Sequence, residues 1–370
     1  MTSLHKISIL LSILFLSACS KDETFEKDNI READISLIGS DLENIFQFDI
    51  NTNTDVNLQT NLSTELGISN NYLTLRQFGN TISFYSFSNN AISLTQKNLS
   101  TSEVTFFPDF YKITSEKSLV WGINNDEFVY FGIFKPLGST NLALHTVSLE
   151  SLEGIDLSLE FGIEKLFEPL ESNGKLFITY ITGGGDYKII VYDTGTDTII
   201  KTFEYGHLKP SILIDNNANF AVFTQDDNEN TFLEIFDISN LLSLSRTELN
   251  FDHPFTAGPI NASIVENKLF YQYTYPQPYQ IERGPAVLNL STSENTVLDM
   301  LGLINSINDE KGQLIRPFFG TYLTDKNMFA ISYILQESIG SEIGGFMLIS
   351  SNGSLEFQKN LNFIPTYFVD

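Results

Sequence analysis

The chain is a procession of short runs rich in β-branched and aromatic residues, each closed by a cluster of Asn, Asp, Ser or Gly. This punctuation restricts its fold more than any other feature. Lys175 to Tyr180 (KLFITY), Tyr187 to Tyr192 (YKIIVY), Thr198 to Phe203 (TIIKTF) and Phe232 to Phe236 (FLEIF) are representative. Runs of roughly four to nine such residues suit strands, because branched and flat side chains pack well on a pleated surface. The clusters between them supply the special backbone angles of turns. No long stretch spaces its apolar residues at helical period, so the expected fold class is all-β. The single cysteine, Cys19, permits no intrachain disulfide and no cysteine-based metal site, so stability must come from the core. With 370 residues, 31 Phe and 15 Tyr, the chain has the material for one.

Six of the eleven prolines recur in one setting: Pro108, Pro169, Pro210, Pro254, Pro317 and Pro365, spaced 61, 41, 44, 63 and 48 residues apart. Each opens a strand-like stretch, where proline costs no ladder bond. A four-strand unit follows, clearest from Pro210 as PSILID, NFAVFTQ, FLEIFDIS and SRTELNF. Four-strand units of about 40–50 residues resemble the blades of a β-propeller. The N-terminal run (DISLIG, IFQFDI, VNLQTNL) lacks an opening strand, and the C-terminus offers one (FIPTYFV) with nothing after it. The last strand therefore completes the first blade, which closes the ring and hides an edge. The expectation is seven blades: 35–65 closed by 363–370, then 66–106, 107–166, 167–207, 208–251, 252–314 and 315–362.

Residues 1–18 read MTSLHKISILLSILFLSA. His5 and Lys6 form a short basic region, and Ile7 to Leu16 an apolar run too short for a permanent span of about 20 residues. This fits a signal peptide. The run Leu16-Ser17-Ala18-Cys19 resembles the bacterial lipobox. The resemblance implies cleavage before Cys19, diacylation of its thiol with fatty acids such as palmitate, and acylation of the new amine. Two or more acyl chains hold a protein firmly to a membrane. Ser20-Lys21-Asp22-Glu23 resembles the acidic signal that sends lipoproteins of some Gram-negative bacteria to the cell surface. The expected organisation is a signal peptide (1–18), a lipidated cysteine with a charged tether (19–32) and a propeller domain (33–370), lipid-anchored in the outer membrane and surface-exposed.

The formal charge is −25. Such a field repels the phosphates of nucleic acids and anionic lipid head groups, leaving the N-terminal lipid as the membrane contact. In a propeller the opening strands line the central channel. The residues just before the six prolines are Phe107, Glu168, Lys209, His253, Arg316 and Ile364. Three of these are Lys, His or Arg, types that make up only 25 of the 370 residues. At one channel mouth they would favour an anionic group such as a carboxylate, bound bidentately by Arg316; salt bridges between blades are the alternative. In the segment 270–285, period two places Tyr271, Tyr273 and Tyr275 on one strand face, with Tyr279 in the following loop and Arg283 near its end. Tyrosine joins a flat apolar body to a polar tip and suits sugar or protein contacts, or packing between blades.

Catalytic chemistry has little support. Beyond residue 18 the histidines are His145, His207 and His253, and neither HExxH nor GxSxG occurs. Gly183-Gly184-Gly185-Asp186 lacks the GK[ST] of a phosphate loop. Carboxylates are plentiful, yet no spacing singles out a glycosidase pair. The expectation is a non-enzymatic binding module with no cofactor and no metal, whose partner is an outer-membrane protein or a small-molecule or glycan ligand. The alternatives are a glycan-active enzyme and a structural subunit of a surface complex.

Overall fold

The computed structural model describes residues 34–369. The lipobox-like run at Cys19 and the charged tether lie outside the described residues. The first blade begins with β1 (Ile35–Ser40), β2 (Ile45–Asn51) and β3 (Val56–Asn61), then a helical turn, α1 (Leu62–Leu66). The second blade is β4 (Thr74–Phe78), β5 (Thr81–Ser88), β6 (Ala91–Asn98) and β7 (Val104–Lys112). The third is β8 (Ser118–Asn124), β9 (Phe128–Phe134), β10 (Leu142–Ser148) and β11 (Gly154–Glu160). In the fourth, the opening strand is split into β12 (Ile163–Leu166) and β13 (Leu170–Ser172), before β14 (Lys175–Thr182), β15 (Tyr187–Asp193) and β16 (Thr198–Gly206). The fifth is β17 (Ser211–Ile214), β18 (Phe220–Gln225), β19 (Thr231–Phe236) and β20 (Ser243–Leu249), with β21 (Gly258–Pro259) paired parallel to β17. The sixth is β22 (Ala262–Val265), β23 (Lys268–Thr274), β24 (Arg283–Asn289) and β25 (Asn295–Val297), followed by the helix α2 (Met300–Lys311). The seventh is β26 (Ile315–Leu323), β27 (Met328–Ile339), β28 (Glu342–Ser350) and β29 (Leu355–Leu361). Finally β30 (Ile364–Val369) pairs antiparallel with β1.

The result is a seven-bladed β-propeller whose last strand completes the first blade. The opening strands lie nearest the axis, since they meet across blades: β4 with β8, β13 with β17, β17 with β22, β22 with β26 and β26 with β30. The fourth strands form the outer rim, and in β20 only Leu249 is buried. Between blades the second and third strands are covered on both faces. That is why runs such as β9 (FVYFGIF) are apolar without alternation. At the closure, Phe363 stacks on Phe46 with ring centroids 5.3 Å apart, inside a cluster with Phe48, Phe346 and Phe368.

Several inner strands carry a β-bulge. The register places one extra residue at Val120 in β8, Glu164 in β12, Phe318 in β26 and Thr366 in β30. A bulge re-aims side chains and adds twist, and bulges gather beside functional sites.

Two expectations differ from the structure. Pro108 does not open the third blade; it lies in β7, the outermost strand of the second blade, next to a bulge where the Asp109 amide bonds Ser93 Oγ. Phe107 accordingly sits on the rim, away from the inner strands. The helix α2 was also not anticipated. Its signals are local: Asp299 accepts from the Gly302 amide at the N-terminus, Gly312 closes the C-terminus at φ +62°, and Met300, Ile304 and Ile307 are buried at i, i+4 and i+7.

Candidate functional site

Antiparallel order within a blade puts the start of the first strand, the end of the second and the start of the third on one face. The connections between blades arrive on the same face. There, between the sixth and seventh blades, lies a cleft of about 810 Å³. The connection before β22 contributes Phe255 and Asn261. The end of β23 and the loop after it contribute Gln272, Thr274 and Tyr279, β24 contributes Arg283, and β26 contributes Arg316 and Phe318; Met300 of α2 also lines it.

Two residue groups that looked separate in the sequence therefore meet: Arg316, from beside a repeated proline, and Tyr279 with Arg283, from the tyrosine-rich segment. The bulge at Phe318 explains part of the geometry. Ser332 Oγ accepts from the Phe319 amide at 3.1 Å, bracing the bulge. Arg316 and Phe318 are both exposed, Phe318 by 57%. Arg316 has no carboxylate partner among the described residues. Arg283 Nε stands 3.5 Å from Glu282 Oε1, but both side chains are largely exposed and such a pair is weak.

The other tyrosines are placed differently. Tyr271 is buried against the fifth blade, edge-on to Phe251 and Phe255 at 5.5 and 5.6 Å, and its hydroxyl donates to Asn295 Oδ1. Tyr273 is half-buried beside it. Tyr275 turns to the opposite side; its hydroxyl donates to Leu298 O at 2.8 Å, and Tyr279 stacks on its ring at 4.5 Å. Burial pushes the Tyr271 and Tyr275 phenols up to about 12, so both remain donors.

The remaining channel-mouth residues lie outside the cleft. Lys209 is exposed. His253 is buried directly behind the lining residues, its ring stacked on Phe255 at 5.7 Å, and its Nδ1 accepts from the Phe255 amide at 3.3 Å. The neutral ring then carries its proton on Nε2, which has no partner among the described residues. Burial, with the Lys209 charge, holds His253 below its ordinary value against the pull of Asp252. Glu168 pairs with Arg76, whose Nε also donates to Gly122 O at 3.1 Å, so this arginine ties the second, third and fourth blades together.

Gln272 and Phe318 are lining residues that the residue pattern does not single out. Period two along β23 sets Gln272 opposite Tyr271 and Tyr273, and its Nε2 is buried in the cleft wall with no partner among the described residues. Gly320 makes room for it: a Cβ there would lie 2.7 Å from that nitrogen. Phe318 was missed because a bulge cannot be read from residue alternation.

Elsewhere, Asp156 on β11 receives Lys117 at 2.8 Å, Lys135 at 2.7 Å and His145 Nδ1 at 2.6 Å. Burial would raise this carboxyl, but the three donors outweigh it and hold it well below the usual carboxylate range. The cluster is saturated and has the form of a structural tie. Among the described residues, no group of three or more His, Cys, Asp or Glu could hold a metal ion.

No family model matches the chain, and no curated protein matches it. Among the many solved structures similar to parts of it, three serve as examples. An uncharacterised protein from Listeria monocytogenes EGD-e shares 9% identity at a TM-score of 0.42, over 67% of this chain and 66% of its own, so this chain spans just under two thirds of that protein. TolB from Acinetobacter baumannii shares 11% at 0.40, over 90% and 79%. A chain of the mitotic checkpoint complex shares 10% at 0.44, over 78% and 74%.

Proposed function

We propose that the chain is an exported lipoprotein, anchored through acyl groups on Cys19 at the outer membrane and displayed on the cell surface. Its propeller is a non-enzymatic binding module that holds its ligand in the cleft between the sixth and seventh blades. The observation that carries this reading is the convergence of Arg316, Arg283 and Tyr279, from separate elements, on one concavity. Its volume lies within the roughly 300–1,000 Å³ of small-molecule sites. Glu282 is the one carboxylate among the lining residues, whereas acid-catalysed glycoside hydrolysis needs a pair. The anchor rests on the lipobox resemblance and on the position of the sole cysteine.

The test is cross-linking on intact cells, followed by recovery of the chain and identification of what comes with it. The native chain recovers a bound species that the variant combining Arg316→Ala and Tyr279→Ala loses. Recovery of the same species in the same ratio by both would overturn the assignment of the cleft. Cys19→Ala should release the chain from the membrane fraction; continued retention would remove the lipid anchor from the reading.

A further inference from the structure

Resting on the binding reading above, we propose that the cleft takes a carboxylated sugar, with Arg316 on the carboxylate and Tyr279 and Phe318 as flat platforms.

The charge comes first. The chain as a whole is strongly acidic, so it repels anions at long range. Two of the four arginines among the described residues nevertheless line this one cleft, beside one carboxylate. A guanidinium with no carboxylate partner is a fork ready for one, and the pairing is planar and bidentate. The global field selects against polyanions, while the local fork admits a single carboxylate.

The neutral polar groups of this region belong to the wall. Gln272 Nε2 is closed to solvent behind the surface and packs against Gly320. Asn261 is spent, donating to Gly320 O at 2.9 Å and accepting from Thr321 Oγ1 at 3.0 Å. Selection of a ligand therefore falls to Arg316 and the aromatic rings.

The platforms complete the set. Tyr279 is 37% exposed, and its ring is fixed by stacking on Tyr275, which is itself pinned through its hydroxyl. Phe318 is presented by the braced bulge. Rigid aromatic faces bind at low entropic cost and fit the C–H face of a sugar ring. An acidic peptide shares the carboxylate but would seek a strand edge. The free inner edge of β26, nine residues long, is the one at the cleft, so a peptide is the competing ligand that the glycan array and the acid–ester comparison must exclude.

The experiment uses the full chain on an array of glycans with and without uronic acid units, then calorimetry with a neutral oligosaccharide ending in one galacturonate and with the methyl ester of the same compound. Uronic acid glycans should be retained, with the ester at least about tenfold weaker, the worth of one charge-assisted pair. Arg316→Gln should lower affinity for the acid to that of the ester and leave the ester unchanged. Because Arg316 is exposed, this variant keeps its fold, which the thermal midpoint checks. Equal binding of acid and ester, or an array with no uronic acid glycan retained, overturns the proposal. If cleft variants still lose a cross-linked species in that case, the binding reading stands with a different ligand, a peptide foremost; if they lose nothing, both fall.

Discussion

The closure of the ring can be tested at one side chain, Phe363. It is fully buried between the last and first blades, stacks on Phe46 at 5.3 Å and meets Phe48 edge-on at 6.5 Å. The strand beneath it is fitted to it: a Cβ on Gly39 would lie 2.6 Å from its ring. Phe363→Ala removes the ring from a site hemmed by β1 and β30 backbone, which leaves little room to collapse. The cost of such a truncation is about 3–5 kcal/mol. Unfolding entropy near 2.1 cal/mol/K per residue, over about 340 residues, gives about 0.7 kcal/mol/K, so the midpoint should fall by about 4–7 °C. Differential scanning calorimetry measures it. Phe106→Ala is the control, since Phe106 lies on the outer rim and is 58% exposed; it should shift the midpoint by less than about 1 °C. A drop below about 2 °C for Phe363→Ala, or one equal to the control, would refute the view that the β1–β30 seam carries the ring's stability.

Other outcomes follow from the same geometry. Tyr333 is fully buried, and its hydroxyl donates to Asn360 Oδ1 at 2.6 Å or Lys359 O at 3.0 Å and accepts from Gln358 Nε2. Tyr333→Phe should therefore cost about 1–3 kcal/mol in urea titration, although it deletes one oxygen. His253 is held below its ordinary value chiefly by burial, and His145 likewise, with Asp156 opposing in the latter. Their neutral forms favour the fold, so the stability they contribute is full above about pH 6.5 and is lost as pH falls through their folded values. Urea midpoints should thus drop between pH 7.5 and 5.5, by less in the double variant His145→Asn, His253→Gln; an unchanged difference refutes the assignment. Gly320→Ala should lower stability by about 1–3 kcal/mol, because the new methyl meets Gln272 Nε2 and Ile331 Cδ1 at 2.7 and 2.5 Å. Glu168→Gln should cost under about 1 kcal/mol despite the bond to Arg76, since the Glu168 side chain is 61% exposed.

The architecture was legible because a propeller writes its unit into the chain seven times, and because a lone opening strand at one end matches a missing one at the other. The prolines were a sound guide with one built-in ambiguity. Proline is tolerated on any strand that lacks a neighbour on one side. In a blade that describes the innermost and the outermost strand alike. Pro210, Pro317 and Pro365 mark inner strands, whereas Pro108 marks an outer one, and local sequence does not distinguish them. Arg316, Tyr279 and Arg283 were reachable from residue type and position. Their meeting in one cleft was not, because it depends on the sixth and seventh blades being neighbours.

The cleft also falls where the repeat is most stretched. Pro254 and Pro317 are 63 residues apart, the widest interval in the series, and the excess is visible in the structure as the long β23–β24 loop and α2. The insertion builds the floor. Met300 opens the helix fully buried and lines the cleft, while Tyr275 from the loop is anchored to Leu298 just before it. Gly284 permits both: a Cβ there would press on the Tyr275 hydroxyl at 2.5 Å and on Met300 Cγ at 2.8 Å. In the regular blades the faces are filled by interdigitating apolar side chains. A propeller gains a concavity off its axis by interrupting one blade, and the residues that brace this interruption (Tyr275, Gly284, Met300) are the ones on which the orientation of Tyr279 and Arg283 depends.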